Sequence, residues 1–228
     1  MQQNYWLFDL DNTLHHADHG IFEIINQHMT AYLAEKLRLN THDASTLRQH
    51  YWQKYGATLA GLQQHHPEID LTEFLKNSHP LDKILPFLSP TQHTRELLTK
   101  ISGKKFVFSN GPLFYVQAII KNMKLQSYFH NLYGIDQLNY HYKPDPQAYL
   151  QLCHSINALP QQCIMIDDNL TNLHTAHQLG MRTIWIGQHT HSASCVDLHV
   201  SDMHNLLQHI STFTDYSVRQ SVNSLQLS

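Results

Sequence analysis

The sequence predicts an α/β protein, a doubly wound parallel sheet whose first strand is followed by a wholly helical insert. Three observations predict it. Short apolar runs alternate with helical spacing from residue 91 to residue 210. The apolar run nearest the N-terminus, like a later one, ends in carboxylates, as buried parallel strands that carry a site do. No strand pattern interrupts residues 20 to 79. With 228 residues, 42% of them hydrophobic, the chain is long enough for one full core plus a small accessory domain.

Residues 4–10 (NYWLFDL) form the first strand. In residues 20–39, Ile21, Ile24, Ile25, Met29, Tyr32, Leu33 and Leu37 recur at helical spacing. Helical patterns continue through 43–55 and 57–65, and a further one over 70–78 begins after Asp70. The pattern changes after Pro86 and Pro90. Residues 91–101 then read as helix, 104–111 (KKFVFSNG) as a strand running into a polar turn, and 112–124 as helix. Residues 131–135 are a short strand, 146–156 a helix, and 162–169 (QCIMIDDN) a strongly apolar strand ending in carboxylates. The helix over 169–179 is closed by Gly180, the residue type that best adopts the left-handed turn at a helix end. A strand at 181–187 (MRTIWIG) and a helix at 203–210 follow. Residues 211–228, rich in Ser, Gln and Thr, read as a mobile tail, which the domain division begins at 213.

Composition removes several function classes. A net charge of -3 leaves no footprint for a nucleic-acid polymer or a membrane surface. No apolar run approaches the length of a membrane span. Residues 1–4 lack a basic start and Asp9 interrupts the apolar stretch after them, so no signal peptide is expected. Cys153, Cys163 and Cys195 have no CxxC spacing and read as reduced thiols of a cytoplasmic protein. The 20 histidines show no HExxH or comparable ligand spacing and are read mostly as solvated residues.

The chemistry gathers at strand ends, where open α/β sheets bind ligands. The first strand delivers Asp9, Asp11, Asn12 and Thr13; the second delivers Ser109, Asn110 and Gly111; the third delivers Asp167, Asp168 and Asn169. A loop carries Lys143, Pro144, Asp145 and Pro146. Four carboxylates near one point repel, and folding tolerates them when a cation or proton resolves the charge. Oxygen-only ligands suit Mg²⁺. Two carboxylates at positions i and i+2 can divide the work: one attacks phosphorus, the other moves a proton to the leaving oxygen and from water. Lys143, Ser109 and the amides near Asn110 and Gly111 would meet the phosphoryl oxygens. Each group also has a plainer reading. Asp9, Asp11, Ser109, Asp167 and Asp168 can cap the helices that follow them, and Lys143 can be a solvated loop residue.

With FDLDNTL (8–14), FSNG (108–111), KPDP (143–146) and IDDN (166–169) in this order, the chain resembles the haloacid dehalogenase superfamily over nearly all of residues 5–210. The resemblance implies a Rossmann-like core over 1–14 and 89–212, with residues 15–88 as a helical cap. It implies Asp9 as nucleophile, Asp11 as general acid and base, and Thr13 as a brace for the loop and Asp11. Ser109 and Lys143 would bind phosphate. Mg²⁺ would bind the Asp9 carboxylate, the Asp11 main-chain carbonyl and Asp168, with Asp167 acting directly or through water. Asn172, where many members place a second acid, would hold a metal-bound water. Asp11 argues against a dehalogenase, which has no acid at that place. The partner implied is a small-molecule phosphomonoester.

The run YWQKYGATLAGLQQHH (51–66) with EFLKNSH (73–79) further resembles the caps of pyrimidine 5′-nucleotidase-like members. Tyr51, Trp52 and Tyr55 would then stack a base and His79 would meet sugar or base. Aromatic residues at helical spacing are more often core than ligand platform. A phosphatase for another metabolite, a mutase and a non-catalytic module of the same fold stand as the alternatives.

Overall fold

The computed structural model describes residues 3–188, 192–211 and 213. Six parallel strands form one sheet in the order β3-β2-β1-β4-β5-β6. They are β1 (Tyr5–Phe8), β2 (Lys104–Phe108), β3 (Asn131–Tyr133), β4 (Cys163–Asp167), β5 (Arg182–Ile186) and β6 (Leu198–Val200). The order reverses direction between β1 and β4, so the crevice of this doubly wound sheet opens at the carboxyl ends of those two strands.

Alternation along each strand builds two cores. Trp6, Phe8, Val107, Ile164, Ile166, Ile184 and Ile186 face one side. Tyr5, Leu7, Phe106, Phe108, Cys163, Met165 and Trp185 face the other. The first side is covered by α6 (Thr94–Lys100), α7 (Leu113–Asn122) and the helix over 203–211, through residues such as Leu97, Ile119 and Leu206. The second is covered by α8 (Pro146–Ser155) and α9 (Leu170–Gln178), through Tyr149, Leu152 and Leu173. Burying each such large side chain contributes about 1.5–3 kcal/mol.

The helical insert comprises α1 (Ile21–Lys36), α2 (Thr41–Tyr55), α3 (Thr58–His65), α4 (Leu71–Ser78) and α5 (Leu81–Ile84). Asn40 caps α2 and Asp70 caps α4 by accepting main-chain N–H groups. The insert has its own core of Tyr32, Leu33, Tyr51, Leu59, Leu62, Phe74 and Leu75. Helix α1 is shared, because Ile21 and Ile25 belong to the main core. Chain entry and exit run side by side: His16 N–H donates to Ser89 O, and Thr91 N–H to Leu14 O. His15 sits between them, bridged to Asp11 and to Pro90.

The predicted strands and helices all occur, with ends shifted by a few residues. Not anticipated were β6, α5 and the 3-10 turns Leu85–Phe87, Gln126–Tyr128, Ile135–Leu138 and Pro160–Gln162. Apart from Ser211 and Phe213, the predicted tail lies outside the described residues. No described helix is long and apolar enough to cross a membrane.

Candidate active site

The carboxyl ends of β1, β2 and β4 bring the predicted groups together around Lys143. Asp9 follows β1, and its N–H still donates to Ile166 O at 2.9 Å, which fixes it at the sheet edge. Lys143 is buried. Its Nζ lies 2.6 Å from Asp9 Oδ1 and 2.9 Å from Asp167 Oδ2, with the Phe108 ring beneath it at 5.0 Å. The two carboxylates hold its pKa above the ordinary lysine value although burial pushes the other way. The plain reading of Lys143 as a solvated loop residue does not hold in this structure.

The loop that presents Lys143 is clamped. Asn110 accepts from the Lys143 N–H and donates to the Lys143 carbonyl, both at 2.8 Å. The main-chain amides near Asn110 are the ones expected at phosphate; its side-chain amide is committed to the lysine's main chain. On the far side of the loop, Asp145 caps α8 and Pro146 occupies its first turn. Ser109 is buried, and its Oγ accepts the Gly111 N–H at 2.9 Å, leaving the hydroxyl proton available. Gly134 lets this turn sit close to the end of β3, since a Cβ there would lie 2.3 Å from the Leu113 nitrogen.

The acidic cluster is strongly coupled. Ligand oxygens of Asp9, Asp167 and Asp168 lie within 4.8 Å of one another. Burial drives the Asp9 pKa well up, opposed by Lys143 and reinforced by Asp167, Asp168 and Asp11. Burial and then Asp167 push Asp168 up to about 7. One lysine thus leaves the three carboxylates with excess negative charge. An oxygen-only donor set in that state fits a hard divalent cation. The three acids do not contribute alike. Asp167 already accepts from Asn169 N–H, Lys143 Nζ and, on both oxygens, Asn172 Nδ2. Asp9 and Asp168 have more free lone pairs. Asn172 was expected beside a metal-bound water; its amide orients Asp167.

Asp11 is arranged differently. Its Oδ1 receives the Tyr115 hydroxyl at 2.5 Å and faces His15 Nε2 at 2.9 Å. Burial raises its pKa, but the His15 and Tyr115 contacts outweigh burial and the net direction is down. Its resting form is the carboxylate. Thr13 is fully buried, yet its Oγ1 has no partner among the described residues and does not reach Asp11. Sequence reasoning missed Tyr115 and His15. The signal for His15 was its i+4 spacing from Asp11. Tyr115 is one helical turn past Gly111 and carries no motif.

The cap residues divide. His79 is buried against Tyr115, with ring centroids 5.2 Å apart, and lies at the site. Burial drops its pKa to about 4, so its ring is neutral at pH 7. Tyr51 is enclosed in the cap core, bonded to His66, with its ring against Gly61. Tyr55 pairs with His65, and Trp52 is 61% exposed on the surface. None of these three meets the acidic cluster. A cavity of about 490 Å³ between cap and core is lined by Thr72, His79, Phe114, Asp136 and Tyr140 among others.

Comparison with known proteins agrees with this construction. The chain is 26% identical over 196 residues to Phosphate metabolism protein 8 of Saccharomyces cerevisiae, covering 77% of this chain and 59% of that protein. The chain thus spans little more than half the length of that relative. A HAD phosphatase from Thermococcus onnurineus superposes with a TM-score of 0.65 at 18% identity, over 91% of this chain and 97% of the other. A dehalogenase with intermediate complex superposes with a TM-score of 0.58 at 17% identity, over 90% and 96%. These likenesses give the fold, which hosts both chemistries. Residues 6–180 match the haloacid dehalogenase-like hydrolase family, and the chain belongs to it.

Proposed function

We propose that this protein hydrolyses phosphate monoesters through a phosphorylated Asp9, with Mg²⁺ as cofactor. One observation carries the reading: a second acid, Asp11, stands at the same strand end as the lysine-bound Asp9. A dehalogenase needs no proton donor for a halide leaving group. An alkoxide leaving group needs one.

In the first half-reaction the Asp9 carboxylate attacks phosphorus. The ester P–O bond breaks as Asp11 gives its proton to the leaving oxygen. In the second, water attacks phosphorus and passes a proton to Asp11, and the acyl phosphate P–O bond breaks to restore Asp9 and free phosphate. A phosphate dianion beside Asp11 opposes the pull of His15 and Tyr115, so substrate binding itself favours the protonated acid. Lys143 and the Ser109 hydroxyl would hold the phosphoryl oxygens in line with Asp9. Held by Asp9 and Asp168, with Asp167 and the Asp11 carbonyl beside them, Mg²⁺ would supply the charge that lets a carboxylate approach a dianion.

The finer reading is a pyrimidine 5′-nucleotidase acting on nucleoside monophosphates. It is supported by the sequence of the cap and by the cavity beside His79, where Phe114 and Tyr140 offer aromatic faces and Thr72 and Asp136 offer polar groups. The His79 Nδ1–H is taken by Leu75 O, which leaves Nε2 to accept from a substrate hydroxyl. A second reading, a phosphatase for another small metabolite, is favoured by the placement of Tyr51, Trp52 and Tyr55 away from that cavity.

Asp9→Asn is expected to abolish p-nitrophenyl phosphate hydrolysis while the circular dichroism stays unchanged. Substantial turnover by that variant would reject Asp9 as nucleophile. Halide release from a 2-haloacid by the wild type would reject the phosphatase reading. A panel of nucleotides, sugar phosphates and phosphoglycolate, ranked by kcat/KM, decides the substrate, and a preference for sugars over UMP and CMP would reject the nucleotidase.

A further inference from the structure

Two side chains converge on one oxygen of Asp11. Tyr115 on α7 donates its hydroxyl to Oδ1 at 2.5 Å. His15, from the chain entry into the cap, places Nε2 2.9 Å from the same atom. Because a carboxylate only accepts, His15 presents Nε2–H. Among the described residues, no protein group donates to Asp11 Oδ2. The cap closes the arrangement from above, where His79 packs on the Tyr115 ring.

Every member of this group is enclosed: Tyr115 and His15 are 0% exposed and His79 is 6% exposed. A phenol holds its proton at neutral pH, and the carboxylate only accepts, so Tyr115 donates. Two donors on one oxygen remove the freedom of the carboxyl group to turn over. They also make Oδ1 the poorer site for a proton, since its lone pairs are engaged.

We infer that Tyr115 is a positioning residue which, with His15, pins Asp11 Oδ1 so that Oδ2 alone carries the proton to the leaving oxygen. The inference rests on the proposed role of Asp11 as general acid. Misplacing a proton donor by about 1 Å can cost on the order of 100-fold in rate. The positioning matters most where the leaving group cannot depart as an anion.

Tyr115→Phe tests this, because it keeps the ring and its packing on His79 and removes only the hydroxyl. The readout is kcat/KM for an alkyl phosphate, such as glycerol phosphate, against that for p-nitrophenyl phosphate, whose leaving group departs without a proton. The quantity reports phosphoryl transfer and not the later hydrolysis of the intermediate. Tyr115→Phe is expected to lower the alkyl value about 10- to 100-fold, the loss of one hydrogen bond to a charged group, and the aryl value less than about 3-fold. His15→Ala is expected to do the same, and His15→Gln, which restores an N–H donor, to recover most of the loss. Equal losses for both esters in Tyr115→Phe would mean a merely structural role and overturn the inference, as would no loss. If Tyr115→Phe does not fold, the two His15 variants decide by the same ratio. Asp11→Asn separates the two claims. If it leaves the ratio unchanged, the general-acid reading itself fails. If it shifts the ratio and the Tyr115 and His15 variants do not, only the positioning role fails.

Discussion

Replacing Lys143 by Met keeps most of the side chain's volume and deletes a charge enclosed between two carboxylates. The contacts at 2.6 Å to Asp9 and 2.9 Å to Asp167 are each worth about 6 kcal/mol of gross Coulomb attraction at an effective dielectric near 20. Taking the ammonium out of water costs several kcal/mol of this back. The net cost of removing one partner from such a buried group is about 3–5 kcal/mol, because the remaining charges are left without compensation. That is a large share of a stability of about 5–15 kcal/mol. The assay is urea unfolding followed by circular dichroism in EDTA, so that no cation replaces the lysine. Lys143→Met is expected to lose about 3–5 kcal/mol at pH 7. Adding Asp9→Asn is expected to recover at least about half of that, because Asp167 keeps its bonds from Asn169 and Asn172 and one carboxylate fewer is left uncompensated. A loss under about 1 kcal/mol, or a double variant as unstable as the two single changes summed, would refute the electrostatic argument.

Two other perturbations probe the metal and the cap. Saturating Mg²⁺ at about 100 times its dissociation constant should stabilise the fold by about 2.7 kcal/mol, raising Tm by roughly 5–11 °C over the value in EDTA. Asp168→Asn should remove most of that rise in a thermal melt, and an unchanged rise would exclude Asp168 from the metal site. Gly61→Ala would place a Cβ 2.1 Å from Tyr51 Cγ, so overpacking should cost about 1–3 kcal/mol. Amide exchange should then quicken in α2 and α3 and stay unchanged in β1 and β4; wild-type protection in the cap would contradict the packing account.

Strands β1 and β4 were legible because they are buried on both faces and read as unbroken apolar runs ending in carboxylates. Strand β6 was not. It is three residues long, one of them the exposed His199, and it sits at the sheet edge where one neighbour suffices. The short α5 and the turn after it were masked by Pro80 and Pro86, which punctuate a sequence without revealing the single helical turn between them. Asp9, Lys143, Asp167 and Asp168 were visible because strand ends and one loop deliver them directly. The partners of those residues were not visible. Asn110 sits in a motif expected to face phosphate, yet its side-chain amide is spent on a main chain 33 residues away, and no local pattern announces that.

The same contrast explains why chemistry is easier to read here than substrate. The groups around Asp9 are fixed by topology: four segments end at one sheet edge, and the residue types they carry have few other uses together. The cap offers no such constraint. Tyr51 and Tyr55 lie on a helix at a spacing that can serve a core or a ligand platform. The choice between them depends on Gly61, ten residues further on, whose missing side chain admits the Tyr51 ring into the cap interior. The cavity that has His79 in its wall draws its lining from α4, the start of α7 and residues 136–140, which are distant in sequence and carry no shared motif. Its connection to the acid runs through packing, His79 on Tyr115 and Tyr115 on Asp11. A substrate's leaving group that fills this cavity would meet His79, which packs on the Tyr115 ring. Under that arrangement, selectivity should be expressed in kcat as well as KM, with poorly fitting esters bound but slowly turned over.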